Sequence, residues 1–172
     1  MNKNNLESLI EEKGRISTIK GENFSNEVLS NKAIIVCYFS KTIFTNCTFD
    51  DFNFASSSFS QCKFFDCTFS KVNLDAASFS QSNFENCNFI QSEFIDARIE
   101  ATTFQSCEFK EGSFAQSYFE SCNFSNTKFK DINFEKGFTG ILEDSQISAG
   151  NWSIYFRGDF HFDNILKFIS SI

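Results

Sequence analysis

A large apolar residue returns at every fifth position from Phe24 to Phe134, and that period decides what the chain can become. The 23 positions of the series hold 19 Phe, two Leu (Leu29 and Leu74) and two Ile (Ile34 and Ile99), with no polar residue among them. A helix repeats its apolar face every three or four residues and a strand every second one, so a period of five fits neither as a continuous element. A fixed internal period is instead the mark of a repeat architecture.

A second restricted position lies two residues before each large one. From Cys37 to Ile132 it holds Cys, Ser, Thr, Ala, Val or Gly in 18 of 20 repeats, the exceptions being Phe52 and Ile132. Residues two apart in an extended segment point to the same side. Each repeat is therefore a three-residue extended piece with one small and one large side chain turned inward, while the other two residues turn a corner. Stacked around a closed coil, such pairs build a narrow solenoid with a solid core. The absence of proline from the chain agrees, because proline cannot donate to the ladders between coils. A disordered Phe-rich polymer would not keep one register from Val36 to Glu135.

The repeats Cys122-Asn123-Phe124-Ser125-Asn126, Cys87-Asn88-Phe89-Ile90-Gln91 and Val72-Asn73-Leu74-Asp75-Ala76 resemble the pentapeptide-repeat family. Its pattern is a small residue, Asp or Asn, Leu or Phe, then Ser, Thr or Arg, then any residue. The resemblance implies an all-β fold, a right-handed quadrilateral parallel β-helix with four repeats per coil, so that residue n stacks under residue n+20. The hand agrees with the general preference of parallel crossover connections.

Within that frame the chain divides into residues 1–15, a cap helix; 16–154, the β-helix; and 155–172, a tail. Leu6, Leu9 and Ile10 fall on one side of the helix, with Gly14 as its stop, and an open coil end needs such a cover. The first coil, Ile16 to Lys32, is degenerate. Glu22, Glu27 and Lys32 occupy the small position, where an unpaired charge cannot be buried, which predicts an irregular wall. The regular repeats span 34–136. A register break at 137–139 shifts the phase by three, and the pairs Gly140/Leu142, Ser145/Ile147 and Gly150/Trp152 predict about three more repeats. In the tail, Phe156, Phe160, Phe162, Phe168 and Ile172 are more apolar surface than one cap needs, which predicts a homodimer joined there.

All seven cysteines, Cys37, Cys47, Cys62, Cys67, Cys87, Cys107 and Cys122, fall on the small inward position. Cys47, Cys67, Cys87 and Cys107 recur every 20 residues and should form one buried column, with Cys serving as a small hydrophobe. Zinc would need ligands converging on a point, whereas parallel side chains in a column do not converge.

Nothing in the sequence carries chemistry. There is no Gly-rich phosphate loop or metalloprotease motif, the only histidine is His161, and a core filled with Phe leaves no substrate pocket. The chain is expected to be no enzyme and to need no cofactor or metal. It shows no apolar run long enough to span a membrane and no signal peptide after Met1–Asn5, which together predict a cytoplasmic protein. Function is left to the outer surface. The face centred on Phe54, Leu74, Phe94, Phe114 and Phe134 carries Asp75, Glu93, Asp96 and Glu135 against Lys136. Phe65, Ile90 and Ile95 place apolar groups at outward corners. Exposed apolar residues beside Asp75, Glu93 and Asp96 point to a site that binds a partner protein, as in a bacterial immunity or regulatory protein. The alternative follows from the family resemblance: some members are acidic rods that imitate duplex DNA and protect DNA gyrase from inhibitors. The net charge of −7 permits mimicry, but no continuous acidic stripe presses for it, and direct nucleic-acid binding is not expected.

Overall fold

The computed structural model describes residues 5–13 and 18–132, with side chains as far as Leu9 in the helix, together with the backbone of Leu142–Glu143, Gln146–Ala149 and Trp152–Tyr155. The chain winds into a parallel β-solenoid in which each turn consumes twenty residues. Phe39 pairs with Phe59 and Phe59 with Phe79, and the same offset runs along the neighbouring faces. The first face is a seven-stranded sheet from Thr18–Lys20 to Leu142–Glu143. The second has eight strands, beginning at Asn23–Ser25, and the third six, from Val28–Ser30 to Lys128–Lys130.

The fourth face differs from the expectation of four equivalent extended sides. It has only single bridges, Ala33 to Asn53, Asn73, Glu93 and Ser113 in succession. After the bridges at Asn53, Asn73 and Glu93 the chain closes a β-turn, with the N–H of Ser57, Ala77 and Ala97 donating to the carbonyls of Phe54, Leu74 and Phe94 at 3.0–3.1 Å. The next outward N–H is taken by a side chain: Asn53 Oδ1 accepts from Ala55 (2.8 Å) and Asn73 Oδ1 from Asp75 (2.9 Å). An Asx side chain that mimics a backbone turn in this way competes with the ladder.

Corners obey one rule. Every fifth residue from Asn26 to Asp131 has φ between 46° and 59°, in the left-handed region that L-residues enter at a cost. Asn or Asp, the side chains that tolerate it best, fill nine of these 22 positions.

Inside, the rings stack by face. On the second face Phe44, Phe64, Phe84, Phe104 and Phe124 lie 4.4–4.9 Å apart between successive centroids and within 4° of parallel. Rings of adjacent faces meet edge-on, as Phe84 meets Phe89 at 64°. Offset stacks and edge contacts are the two favoured aromatic geometries, which is why one residue type serves four sides at once. The misfit Phe52 is also buried, against Phe49 and Phe54. Further along its column the wall closes at Gly112, where a Cβ would stand 2.3 Å from the Ser92 carbonyl oxygen.

The seven cysteines are buried, as their spacing predicts. Size is only half of their role. Several of the small polar residues also donate toward a carbonyl 23 residues earlier: Cys67 Sγ to Phe44 (3.6 Å), Cys122 Sγ to Ile99 (3.3 Å), Ser82 Oγ to Phe59 (3.1 Å) and Thr127 Oγ1 to Phe104 (2.9 Å). Burial pushes the Cys37 and Cys62 thiols up to about 11 and Cys122 up to about 12. In the four-thiol column, Cys47 and Cys87 are held up first by the neighbouring thiols and then by burial. Cys67, which accepts from Cys47 and Cys87, is pulled the other way. Burial in this apolar wall disfavours a thiolate, so Cys47, Cys67 and Cys87 are neutral thiols at pH 7.

The first coil corrects an expectation. Thr18–Lys20, Asn23–Ser25 and Val28–Ser30 pair in full register with the next coil, so the wall is regular despite its charges. Helix α1, Leu6–Lys13, removes the difficulty. Asn5 Oδ1 accepts from Ser8 N–H at 2.7 Å as its N-cap. Leu6 and Leu9 are buried in the core. The Glu27 carboxylate accepts the Leu6 N–H at 2.9 and 3.2 Å, and Lys32 pairs with Glu7. Glu27 and Lys32 thus reach up to the cap instead of into the core.

At the far end the shift of three is seen directly: Phe119 pairs with Leu142 and Phe124 with Ile147, an offset of 23 in place of 20. The third predicted repeat does not follow. Trp152–Tyr155 instead pairs antiparallel with Gln146–Ala149, with Ala149 opposite Trp152, so its edge is spent on the preceding strand and not on a new coil. The break at 137–139 and the dimer residues Phe156, Phe160, Phe162, Phe168 and Ile172 lie outside the described residues.

Candidate functional site

The outward side chains of the fourth face come from positions 33, 35 and 36 and their equivalents in later coils. The β-turns put them on a surface unlike the flat strands of the other sides. Ala55, Asp75, Ile95 and Ala115 form one row, with Asn53, Asn73, Glu93 and Ser113 beside it. Ser56, Ala76, Asp96 and Gln116 line the corner, all at positive φ. From 33–36 through 113–116 no Lys or Arg falls on this face.

Asp75, Glu93, Ile95 and Asp96 are therefore brought together. Asp75 Oδ1 accepts the Ile95 N–H across one coil at 3.1 Å. Partial burial raises the Asp75 carboxyl above its ordinary range despite that bond, and the nearby Asp96 charge adds to the rise. Glu93 is raised by burial and by the charge of Asp75. Among the described residues none of the three makes an ion pair. Some charges on other faces are matched: Arg98 pairs with Glu100 and Glu120 and lies over the Tyr118 ring, and Lys110 pairs with Glu111 at 3.1 Å. The fourth face is thus an acidic, partly apolar strip whose carboxylates have no protein counter-ion among the described residues.

The other two predicted residues sit apart. Ile90 ends the third-face strand Asn88–Ile90 and is exposed, one corner away from Glu93. Phe65 ends the second-face strand Lys63–Phe65, between Thr45 and Glu85, and is half-buried. Neither they nor Ile95 occupies a corner: the corners are the following residues, Asp66, Gln91 and Asp96. Phe65 is a full face removed from Asp75.

Sequence reasoning missed a larger apolar exposure. Ile35, Val36 and Tyr38 flank one corner of the first and second coils and are 54, 69 and 45% exposed. The signal was present in Val36, a β-branched residue at a position otherwise filled mostly by polar or small side chains. Among the described residues no three His, Cys, Asp or Glu side chains stand close enough to hold a metal ion, and no helix is long and apolar enough to cross a membrane.

Two family models match, "pentapeptide repeat region" over residues 37–114 and "pentapeptide repeats (8 copies)" over 100–135. With the solenoid geometry they make this chain a member of the pentapeptide-repeat proteins. No curated protein matches it in sequence. Among solved structures it is similar to a pentapeptide repeat protein of the Arabidopsis thaliana thylakoid lumen, at 21% identity and a TM-score of 0.40, covering 58% of this chain and 66% of that one. HetL of Nostoc sp. strain PCC 7120, a pentapeptide repeat protein involved in heterocyst differentiation regulation, matches at 7% identity and TM-score 0.29, over 74% of this chain and 69% of that one. QnrB1, a plasmid-mediated fluoroquinolone resistance protein, matches at 15% and 0.25, over 72% and 88%.

Proposed function

We propose that the protein is a non-enzymatic binding module, of the kind that serves as a bacterial immunity or regulatory protein, and that it contacts a partner protein through the fourth face. One observation carries this: Asp75, Glu93 and Asp96 cluster beside Ile95 without any cation on the face. Desolvated like charges raise one another's pKa and are retained against stability, so a reason outside the fold is expected. The interior supports the same conclusion, since stacked rings leave no room there for a substrate.

The test is a comparison of baits. The triple change Asp75→Asn, Glu93→Gln, Asp96→Asn keeps every hydrogen bond that a neutral side chain can make, including the acceptor for Ile95. A partner retained from native-cell extract by the wild type and lost by the neutralised variant, at equal thermal stability, supports the fourth face. Equal retention rejects it. Gyrase protection is a separate reading that the charge distribution does not favour: between Thr18 and Ile132 there are 14 acidic against nine basic residues, without a continuous stripe. A supercoiling assay with a fluoroquinolone decides it, and no protection by wild-type protein removes it.

A further inference from the structure

We propose that the corner of Ile35, Val36 and Tyr38 anchors the fourth face by receiving an extended peptide segment of a partner protein, one with an apolar residue and, about three to five residues away, a Lys or Arg. The proposal rests on the fourth face being the binding surface and names the chemistry that fits it.

Five observations converge on this corner. Ile35, Val36 and Tyr38 are three of the five most exposed large apolar residues described. In later coils the same places hold Ala55, Ser56 and Ser58, then Asp75, Ala76 and Ser78, so nothing in the repeat demands bulk there. Val36 has φ 56°, a conformation that is a true outlier for a β-branched residue; it adds neither solubility nor local stability where it stands. The turn itself is also open. Later turns close with a direct backbone bond, whereas here the Ser57 hydroxyl accepts from Cys37 N–H (3.1 Å) and donates to the Ile34 carbonyl (3.0 Å). Finally, Ala33 offers no side-chain acceptor where Asn53, Asn73 and Ser113 each take an outward N–H. Among the described residues the Ile35 N–H has no acceptor, which leaves it ready for a carbonyl of an incoming chain.

Charge selects the occupant. Asp75 lies two coils from Ile35, and Glu93 and Asp96 about three, or roughly 10–15 Å along the rod at the usual spacing between strands. An extended peptide crosses that distance in about three to five residues. A second copy apposing this same face would bring unpaired carboxylates together, whereas a basic segment neutralises them.

The test uses the full chain as bait for a displayed library of random dodecapeptides, followed by affinities of the selected peptides for wild type, Val36→Asn and the triple neutral variant. Asn suits the left-handed corner, so Val36→Asn should melt at or above the wild-type temperature while binding the peptides at least ten-fold more weakly. The selected peptides should pair an apolar residue with Lys or Arg at the stated spacing. A library without binders, or binders lacking that pattern, overturns the proposal. Unchanged affinity for Val36→Asn with loss in the triple variant rejects the anchor and leaves the fourth-face reading standing; unchanged affinity for both rejects both. Sedimentation showing a wild-type dimer that Val36→Asn dissociates would assign the corner to a second copy and overturn the peptide.

Discussion

The Ser82 hydroxyl stands between two coils, accepting the Cys62 N–H and donating to the Phe59 carbonyl, each at 3.1 Å. Ser57 and Ser92 make the same two-way bond, whereas Cys67 and Thr127 in the same inward position make only the donating half. Ser82→Ala should leave a buried donor and acceptor unpaired and cost about 1–3 kcal/mol, while Ser82→Cys should lose only part of that. Urea unfolding of the two variants separates a hydrogen-bonding role from a purely steric one; equal losses contradict the bridge.

Gly112 is fixed by contact rather than by conformational freedom. A Cβ there meets backbone, the Ser92 carbonyl, which cannot swing aside as a side chain can. Gly112→Ala should destabilise by about 1–3 kcal/mol, as overpacking does. Gly21→Ala should be milder: its φ is 70°, but nothing lies within 4 Å of the added atom. A reversed order in thermal melts would contradict the packing described.

The thiols should be inert until the protein unfolds. With Cys37, Cys62 and Cys122 at about 11 to 12 in the fold, against 9.0 ordinarily, the folded state holds protons that the unfolded chain releases. Their contribution is complete below pH 9 and declines as pH rises from 9 through 11 to 12. Alkylation at pH 8 should follow the global unfolding rate, and rapid labelling of native protein contradicts the burial.

Glu27 should matter as an acceptor more than as a charge. Its pKa is raised, chiefly by burial, while the Leu6 N–H pulls the other way. A raised carboxyl favours folding below its ordinary pKa of 4.5 and loses that advantage as pH rises through the folded value. Glu27→Gln should therefore be at least as stable as wild type at pH 7, whereas Glu27→Ala should cost about 1 kcal/mol through the lost helix contact. Melts at pH 4 and pH 7 check both the order and the sign.

The period of five made most of the fold legible before any coordinates. The small and large inward positions, the column at Cys47, Cys67, Cys87 and Cys107, and the shift of three before Leu142 all follow from side-chain size and spacing, which a repeat displays openly. The fourth face was hidden because Phe54 and Leu74 look like any other centres; what changes their backbone is the Asx turn of Asn53 and Asn73, a local bond with no periodic signature. The charges of Glu27 and Lys32 seemed to demand an irregular wall because their partners, the Leu6 N–H and Glu7, lie more than twenty residues away in sequence. Of the candidate site, Asp75, Glu93 and Asp96 follow from face counting alone, while Phe65, Ile90 and Ile95 enter through apolarity without regard to face, and of these only Ile95 lies on the fourth face. Val36 escaped notice because its cost lies in a backbone angle.

The central claim is that partner contact runs along the fourth face. A photo-crosslinking amino acid placed at Ile95, and in a separate chain at Ser60 on the first face, should be introduced in the cell that natively makes the protein. The account predicts a discrete protein adduct on irradiation from position 95 and none from position 60. An adduct from position 60 with none from position 95 would contradict it.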